Sequence, residues 1–232
     1  MSYGDAGFEV IRAGVGHATS LVSPVLIVIA KAPVAGRVKT RLTPPCTPDQ
    51  AAVLAQAALQ DTLAAALRAR RATRRVLALD GAPGEWLPQG FEVIPQRGDG
   101  LAERLASAFA DAGEPAFLVG MDTPQLTPEL LDEGLEAVVD GDSAFGAAFD
   151  GGYWGIGLRT PAPAVFAGVP MSSARTGALQ RAQMALLGLN PRVLPPLRDV
   201  DTFADAVTVA AEAPGTRFAA QVATLLVEQV AA

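Results

Sequence analysis

The chain has 232 residues, half of them hydrophobic, and a formal charge of −6 at pH 7. That length buries one substantial core and leaves little room for a second, and an acidic balance without a long basic run excludes nucleic acid as the main partner. A single cysteine, Cys46, and a single histidine, His17, exclude intrachain disulfides, zinc sites with several Cys or His ligands, and a Ser-His-Asp triad within the chain.

Residues 1–23 mix Asp5, Glu9, Arg12 and His17 with glycines. They lack the cationic start and apolar run of a signal peptide and are expected as a loosely ordered extension before one domain over 24–232. No stretch has the apolar length of a membrane helix, and a chain that can form no internal disulfide is expected to be cytoplasmic. Val25 to Ala30 is a continuous apolar run, the pattern of a strand buried on both faces. A loop rich in Pro, Gly and cations follows. Asp49 is positioned to cap an Ala-rich helix running to about Arg70.

Further strands are expected at Arg75–Leu79, Phe91–Pro95 and Ala116–Gly120. A helix over Asp99–Ala110, with Leu101, Leu105 and Phe109 on one face, separates the last two. A helix at Pro128–Val139 leads to two strands, Ser143–Phe149 and Tyr153–Leu158, joined by a turn at Asp150-Gly-Gly152. A helix over Thr176–Leu187, a short strand at Arg192–Leu194, and helices at Phe203–Ala211 and Arg217–Gln229 complete the chain. Alternating strands and helices predict a mostly parallel sheet covered on both faces, with ligands at the carboxyl ends of the strands. The apolar last helix fits equally against its own domain or against a second subunit in a homodimer.

With zinc and histidine chemistry excluded, carboxylates, hydroxyls, Lys, Arg and an oxygen-preferring metal such as Mg2+ or Mn2+ remain. Lys31-Ala-Pro-Val-Ala-Gly36-Arg37-Val-Lys39-Thr-Arg41-Leu42 sits directly after the first strand. The chain has sixteen arginines and two lysines, and both lysines fall in this loop. A compact ammonium suits a position pressed against phosphate, and Gly36 would let the backbone approach an anion. Asp122, in Gly120-Met-Asp-Thr-Pro124, follows a buried strand and is placed either to hold a divalent metal or to cap its own turn.

Three further segments have both a functional and a plain structural account. Asp150-Gly151-Gly152-Tyr153-Trp154 either approaches a ligand closely, with aromatics walling a pocket, or forms an ordinary hairpin turn. Ser172, Ser173, Arg175 and Thr176 precede a helix and fit acceptor-phosphate binding or N-capping. Arg198-Asp199-Val-Asp201-Thr202 places two acids two residues apart, for metal binding or, through Asp201 or Thr202, for capping the next helix.

In this order the motifs resemble the DUF2064 family of the GT-A superfamily, whose members are often described as glycosyltransferases, some in an arsenosugar context. Lys39-Thr-Arg41-Leu42 and Gly98-Asp-Gly-Leu101 are similar, more distantly, to segments of phospholactate guanylyltransferases, and molybdopterin nucleotidyltransferases share the general plan. The loop here has fewer glycines than the usual nucleotidyltransferase loop, and Asp150-Gly-Gly-Tyr-Trp differs from what the guanylyltransferases carry. The resemblance implies a GT-A, Rossmann-like α/β domain. It also implies a metal-dependent nucleotidyltransferase joining an NMP unit from an NTP to a small phosphate- or phosphonate-like acceptor, with release of pyrophosphate.

In that reading Lys31, Gly36, Arg37, Lys39 and Arg41 hold the phosphates, and Asp122 binds Mg2+ (or Mn2+) with Asp150 or Asp201 as second carboxylate. Asp99 and Arg104 line the base pocket. Gly151, Gly152 and Tyr153 wall the cleft, and Ser173, Arg175 and Thr176 meet the acceptor. Two alternatives stand beside it: glycosyl transfer from a nucleotide sugar to a small acceptor, and a non-catalytic nucleotide-binding regulator.

Overall fold

A continuous apolar strand must satisfy two cores, and the first strand does so by alternation. Leu26, Val28 and Ala30 enter one cluster while Val25 and Ile27 enter another. The computed structural model describes residues 24–113 and 115–231, so the expected N-terminal extension lies outside the described residues. The strands are β1 (Val25–Lys31), β2 (Arg74–Asp80), β3 (Glu92–Pro95), β4 (Ala116–Val119), β5 (Ser143–Ala148), β6 (Tyr153–Leu158) and β7 (Arg192–Leu197). They form one sheet in the order β3-β2-β1-β4-β6-β5-β7. Only β6 runs against its neighbours, β4 and β5; every other pairing is parallel. This is the mostly parallel α/β sheet that the alternation of elements predicted, in the GT-A, Rossmann-like arrangement that the resemblance implied.

The helices are α1 (Pro48–Arg68), α2 (Leu101–Ala112), α3 (Pro128–Asp140), α4 (Thr176–Leu186), α5 (Phe203–Glu212) and α6 (Arg217–Ala231). α1 and α3 cover one face through Leu59, Leu63, Leu131 and Leu135, and α2 and α4 cover the other through Leu105, Phe109 and Met184. α5 and α6 form a third cluster on the outer side of α1, where Val209, Phe218, Val222 and Leu225 meet Leu54 and Ala58. The last helix thus docks within its own chain.

Local details depart from the sequence reading. Thr47, not Asp49, caps α1: its hydroxyl accepts from Gln50 N at 3.2 Å, and the Gln50 side chain accepts from Thr47 N at 2.9 Å. This reciprocal capping box satisfies two orphan donors, and Asp49 is left in the first turn. Leu101 is 43 % exposed and leaves the buried face to Leu105 and Phe109. β7 continues through Pro195 and Pro196 to Leu197, because it is an edge strand, where a missing N–H costs no ladder bond. Three-residue 3-10 turns at Thr40–Leu42 and Pro163–Val165 were not anticipated.

The fold's consequence for function is positional. All the strands but β6 end at the same edge of the sheet, because the single reversal at β6 returns β5 and β7 to the direction of β1. Their loops therefore gather there.

Candidate active site

A cleft of about 840 Å3 opens at this edge, a size ordinary for a small-molecule site. Its walls come from the loop after β1, the β3–α2 and β4–α3 connections, the β5–β6 turn, the start of α4 and the segment after β7. The loop after β1 is pinned from below by Val38 and Leu42, which are 5 % and 0 % exposed. Leu42 shares the outer cluster with Val200. Val200 N in turn donates to the Asp122 carbonyl at 3.0 Å, and the Gln125 side chain donates to the Arg198 carbonyl at 2.7 Å. These contacts tie the loops after β1, β4 and β7 into one unit.

Between the two buried anchors Lys39 adopts the left-handed conformation, φ 49° and ψ 38°, unusual for a residue with a side chain. The side chain, 9 % exposed, places Nζ 2.8 Å from Asp122 Oδ1 and 3.7 Å from Asp201 Oδ1. Nζ also donates to the Val200 carbonyl. Arg41 Nη1 reaches Asp201 Oδ2 at 3.1 Å. Asp199, the other acid of the pair after β7, lines the same cleft. Burial pushes its carboxyl up to about 7, the Asp122, Asp150 and Asp201 carboxylates push the same way, and Lys39 opposes them. Its Oδ1 is buried without a hydrogen-bond partner. The sequence signal was the pair of acids two residues apart.

The other expected residues are placed as follows. Lys31 and Arg37 line the cleft and are exposed. Gly36 lies in a turn with φ +74°, outside the cleft wall. Arg104 is fixed on the β3 side: Nη1 meets Asp80 Oδ2 at 3.1 Å, and Nε donates to the Gly98 carbonyl at 3.2 Å. Asp99 and Gln96 flank it in the wall.

At the other end Asp150 accepts from Gly152 N at 2.8 Å, closing its own turn, while still bordering the cleft. The glycines here serve chain packing. A Cβ on Gly151, whose φ is +90°, would stand 2.0 Å from the Ala174 carbonyl oxygen, and one on Gly177 would stand 2.5 Å from that of Gly152. The turn is thereby seated on the start of α4. Tyr153 packs on Phe145, and burial raises its phenol above the usual range. Trp154 is buried and donates Nε1–H to the Pro195 carbonyl at 3.0 Å.

The hydroxyls before α4 are largely committed to the chain. Thr176 donates to the Pro170 carbonyl and accepts from Ser173 N, and Ser173 Oγ accepts from Arg175 N. Ser173 and Thr176 border the cleft, whereas Arg175 stands outside its wall. After β7, Thr202 caps α5 in a second capping box with Asp205, which leaves Asp201 free to face Lys39 and Arg41.

Among the described residues no three His, Cys, Asp or Glu side chains stand close enough together to hold a metal ion. The donor set still fits Mg2+ or Mn2+. Two carboxylates on facing loops bracket a position that an ammonium already occupies, and Mg2+ is ordinarily held by one or two carboxylates with waters and substrate phosphates completing six oxygens. No helix of the described residues is long and apolar enough to cross a membrane.

Comparison with known proteins follows the same lines. The family model described as "Uncharacterized protein conserved in bacteria (DUF2064)" matches residues 51–173, just over half the chain. The matched span includes Asp122 and the Asp150–Trp154 turn but neither the loop after β1 nor Asp199 and Asp201. A structure from Desulfovibrio desulfuricans G20, provisionally named a nucleotide-diphospho-sugar transferase, is similar at 28% identity and TM-score 0.79, over 89% of this chain and 95% of that one. A CMP:2-keto-3-deoxy-manno-octonic acid synthetase complexed with CTP shares the fold at 15% identity and TM-score 0.53, over 82% and 97% of the two chains. The 2-C-methyl-D-erythritol 4-phosphate cytidylyltransferase of Thermus thermophilus shares it at 19% identity and TM-score 0.50, over 83% and 98%. Among curated proteins none matches.

Proposed function

The chain belongs to the DUF2064 family, and from that premise we propose that it is a Mg2+- or Mn2+-dependent nucleotidyltransferase acting on an NTP and a small phosphate- or phosphonate-like acceptor. The observation that carries this reading is the convergence of a cationic loop after β1 with carboxylates after β4 and β7. Lys39 and Arg41 meet Asp122 and Asp201 in one cleft. The fold is also that of a CTP-bound synthetase and of a cytidylyltransferase, which supports nucleotidyl transfer by analogy and does not name the acceptor.

In the reaction an acceptor oxygen bonds to the α-phosphorus as the bond to the bridging α,β-oxygen breaks, and pyrophosphate leaves with that electron pair. Such a step needs positioning and charge neutralisation and no protein nucleophile. Lys31, Arg37, Lys39 and Arg41 neutralise the triphosphate and then the leaving pyrophosphate. Asp122 and Asp201 would hold the metal, which supplies Lewis-acid charge stabilisation on the phosphates. Arg104, locked by Asp80 and the Gly98 carbonyl, borders the base, with Asp99 beside it. Asp150, Tyr153, Ser173 and Thr176 border the acceptor end.

A second reading, glycosyl transfer from a nucleotide sugar, is favoured by the provisional name of the 28%-identical Desulfovibrio structure. Thermal melting with Mg2+ against the four NTPs and a panel of nucleotide sugars separates the two, because a ligand of the folded state raises the melting temperature by mass action. One NTP raising it well above any nucleotide sugar supports nucleotidyl transfer. A single nucleotide sugar outperforming its NTP moves the assignment to glycosyl transfer. No shift with either class overturns both.

A further inference from the structure

We propose that Lys39 is a built-in counter-ion of the metal position: its ammonium and a divalent cation exclude one another, so metal and triphosphate bind as a coupled pair. This rests on the nucleotidyl-transfer reading and deepens it to how the site is regulated.

The geometry is specific. Lys39 lines the cleft together with Lys31 and Arg37, but those two are exposed whereas its side chain is not. The left-handed backbone between Val38 and Leu42 turns its side chain inward, to 9 % exposure. There Nζ stands at hydrogen-bond distance from Asp122 Oδ1, with Asp201 Oδ1 at 3.7 Å and the Val200 carbonyl as a further acceptor. These are the lone pairs that a hard divalent cation would need.

An ammonium and Mg2+ a few ångström apart repel, and the ammonium takes the oxygen lone pairs the metal requires. Entry of the metal therefore expels Lys39. The flexible four-carbon stem then delivers Nζ to the cleft, where triphosphate oxygens become its acceptors. Arg41, on Asp201 Oδ2, has no part in the exchange and keeps that carboxylate oriented. One movement thus frees two carboxylates for metal and one cation for phosphate. By reciprocity the factor by which triphosphate tightens metal equals the factor by which metal tightens triphosphate.

The test is Mn2+ binding to the full chain, read by electron paramagnetic resonance, alone and with each of the four α,β-methylene nucleoside triphosphates. It compares the unaltered protein with Lys39→Met and Lys39→Arg, each checked for an intact melting transition, with Lys39→Gln in reserve should Lys39→Met not fold. Mn2+ alone is expected to bind Lys39→Met about tenfold tighter than the unaltered chain, within the usual range of site-to-site coupling. One triphosphate tightens Mn2+ on the unaltered chain by a larger factor than on Lys39→Met, where ligation by phosphate oxygens remains but the exchange does not. Lys39→Arg keeps the positive charge and stays close to the unaltered chain. Unchanged or weaker Mn2+ binding by folded Lys39→Met overturns the exchange while leaving nucleotidyl transfer standing. No Mn2+ binding by any of these proteins, with or without triphosphate, overturns the metal site itself and with it the proposed function.

Discussion

Two buried or half-buried aspartate sites, one where α6 meets α1 and one at the cleft, use the same side chain to different ends. Asp61, 8 % exposed, accepts from Phe218 N at 2.8 Å and from Arg217 N at 3.1 Å, with Arg217 Nη1 at 3.3 Å. Its charge is matched by the free N–H groups and the positive end of α6, so both oxygens are engaged and the last helix is fastened to α1. At the cleft, Asp122, Asp150 and Asp201 act through space on Asp199, and Lys39 and Arg41 are the only cations ion-paired to any of these four among the described residues. One Asp199 oxygen is buried with no partner. A satisfied carboxylate is a fastening, whereas the proposed function takes the carboxylates at the cleft as the place for a cation that the chain does not supply.

Exchanging the two sites' roles by mutation breaks this comparison if it is wrong. Asp122→Asn is expected to lower metal-dependent turnover by about a hundredfold or more, since a bound Lewis acid contributes several kcal/mol to the barrier. The melting temperature should change little, because half-exposed Asp122 makes no buried fastening. Steady-state kinetics at saturating Mg2+ and calorimetry on the same sample read both; retained turnover removes Asp122 from the site. Asp61→Ala is the mirror case. It should cost about 2 kcal/mol through lost charge-assisted bonds at the start of α6, or about 4–8 °C in a chain of this size. Its nucleotide-induced melting shift should match that of the unaltered chain. A loss of ligand response at temperatures where Asp61→Ala is fully folded would contradict the division of labour.

The sheet was legible because each strand is a short apolar run bounded by turn residues. Even the hairpin around Asp150-Gly-Gly152 could be placed from its glycines. The reason for those glycines was not legible: they make room for the Ala174 carbonyl and the start of α4, a contact between segments far apart in sequence. At the start of α1 the Thr47–Gln50 spacing is that of a capping box, and this reciprocal pair takes the cap from Asp49 two residues on. Lys39, Arg41, Asp122 and Asp201 were chosen individually for the chemistry of their types and for their positions at strand ends. That Lys39 pairs with acids 83 and 162 residues away depends on a left-handed backbone that no local pattern announces. Asp199 was visible as one of two acids two residues apart, but its burial and its acidic neighbours exist only once β4, β6, β5 and β7 are assembled in one sheet.

The sharpest version of the comparison reverses the sign of a mutation. Removing the charge of the fastened Asp61 destabilises, whereas removing that of Asp199 should stabilise the metal-free protein. The Asp199 carboxyl lies at about 7 in the folded chain against an ordinary value near 4, first because of burial and then because of Asp122, Asp150 and Asp201. Below pH 4 both folded and unfolded chains carry it protonated, and it costs nothing. As pH rises from 4 to 7 the unfolded chain ionises while the folded chain holds its proton, so stability falls. Above about 7 both are ionised, and the penalty is complete and constant. Asp199→Asn carries no such penalty but buries an amide in its place, so the net gain is expected at about 1 kcal/mol, or about 2–4 °C at pH 8. Melting curves in chelator at pH 4, 6 and 8 should show the variant gaining on the unaltered protein as pH rises and melting higher at pH 8. A variant that melts lower at pH 8, or a difference that ignores pH, would mean that Asp199 is fastened as Asp61 is, and the contrast between the two sites would fail at its most buried member.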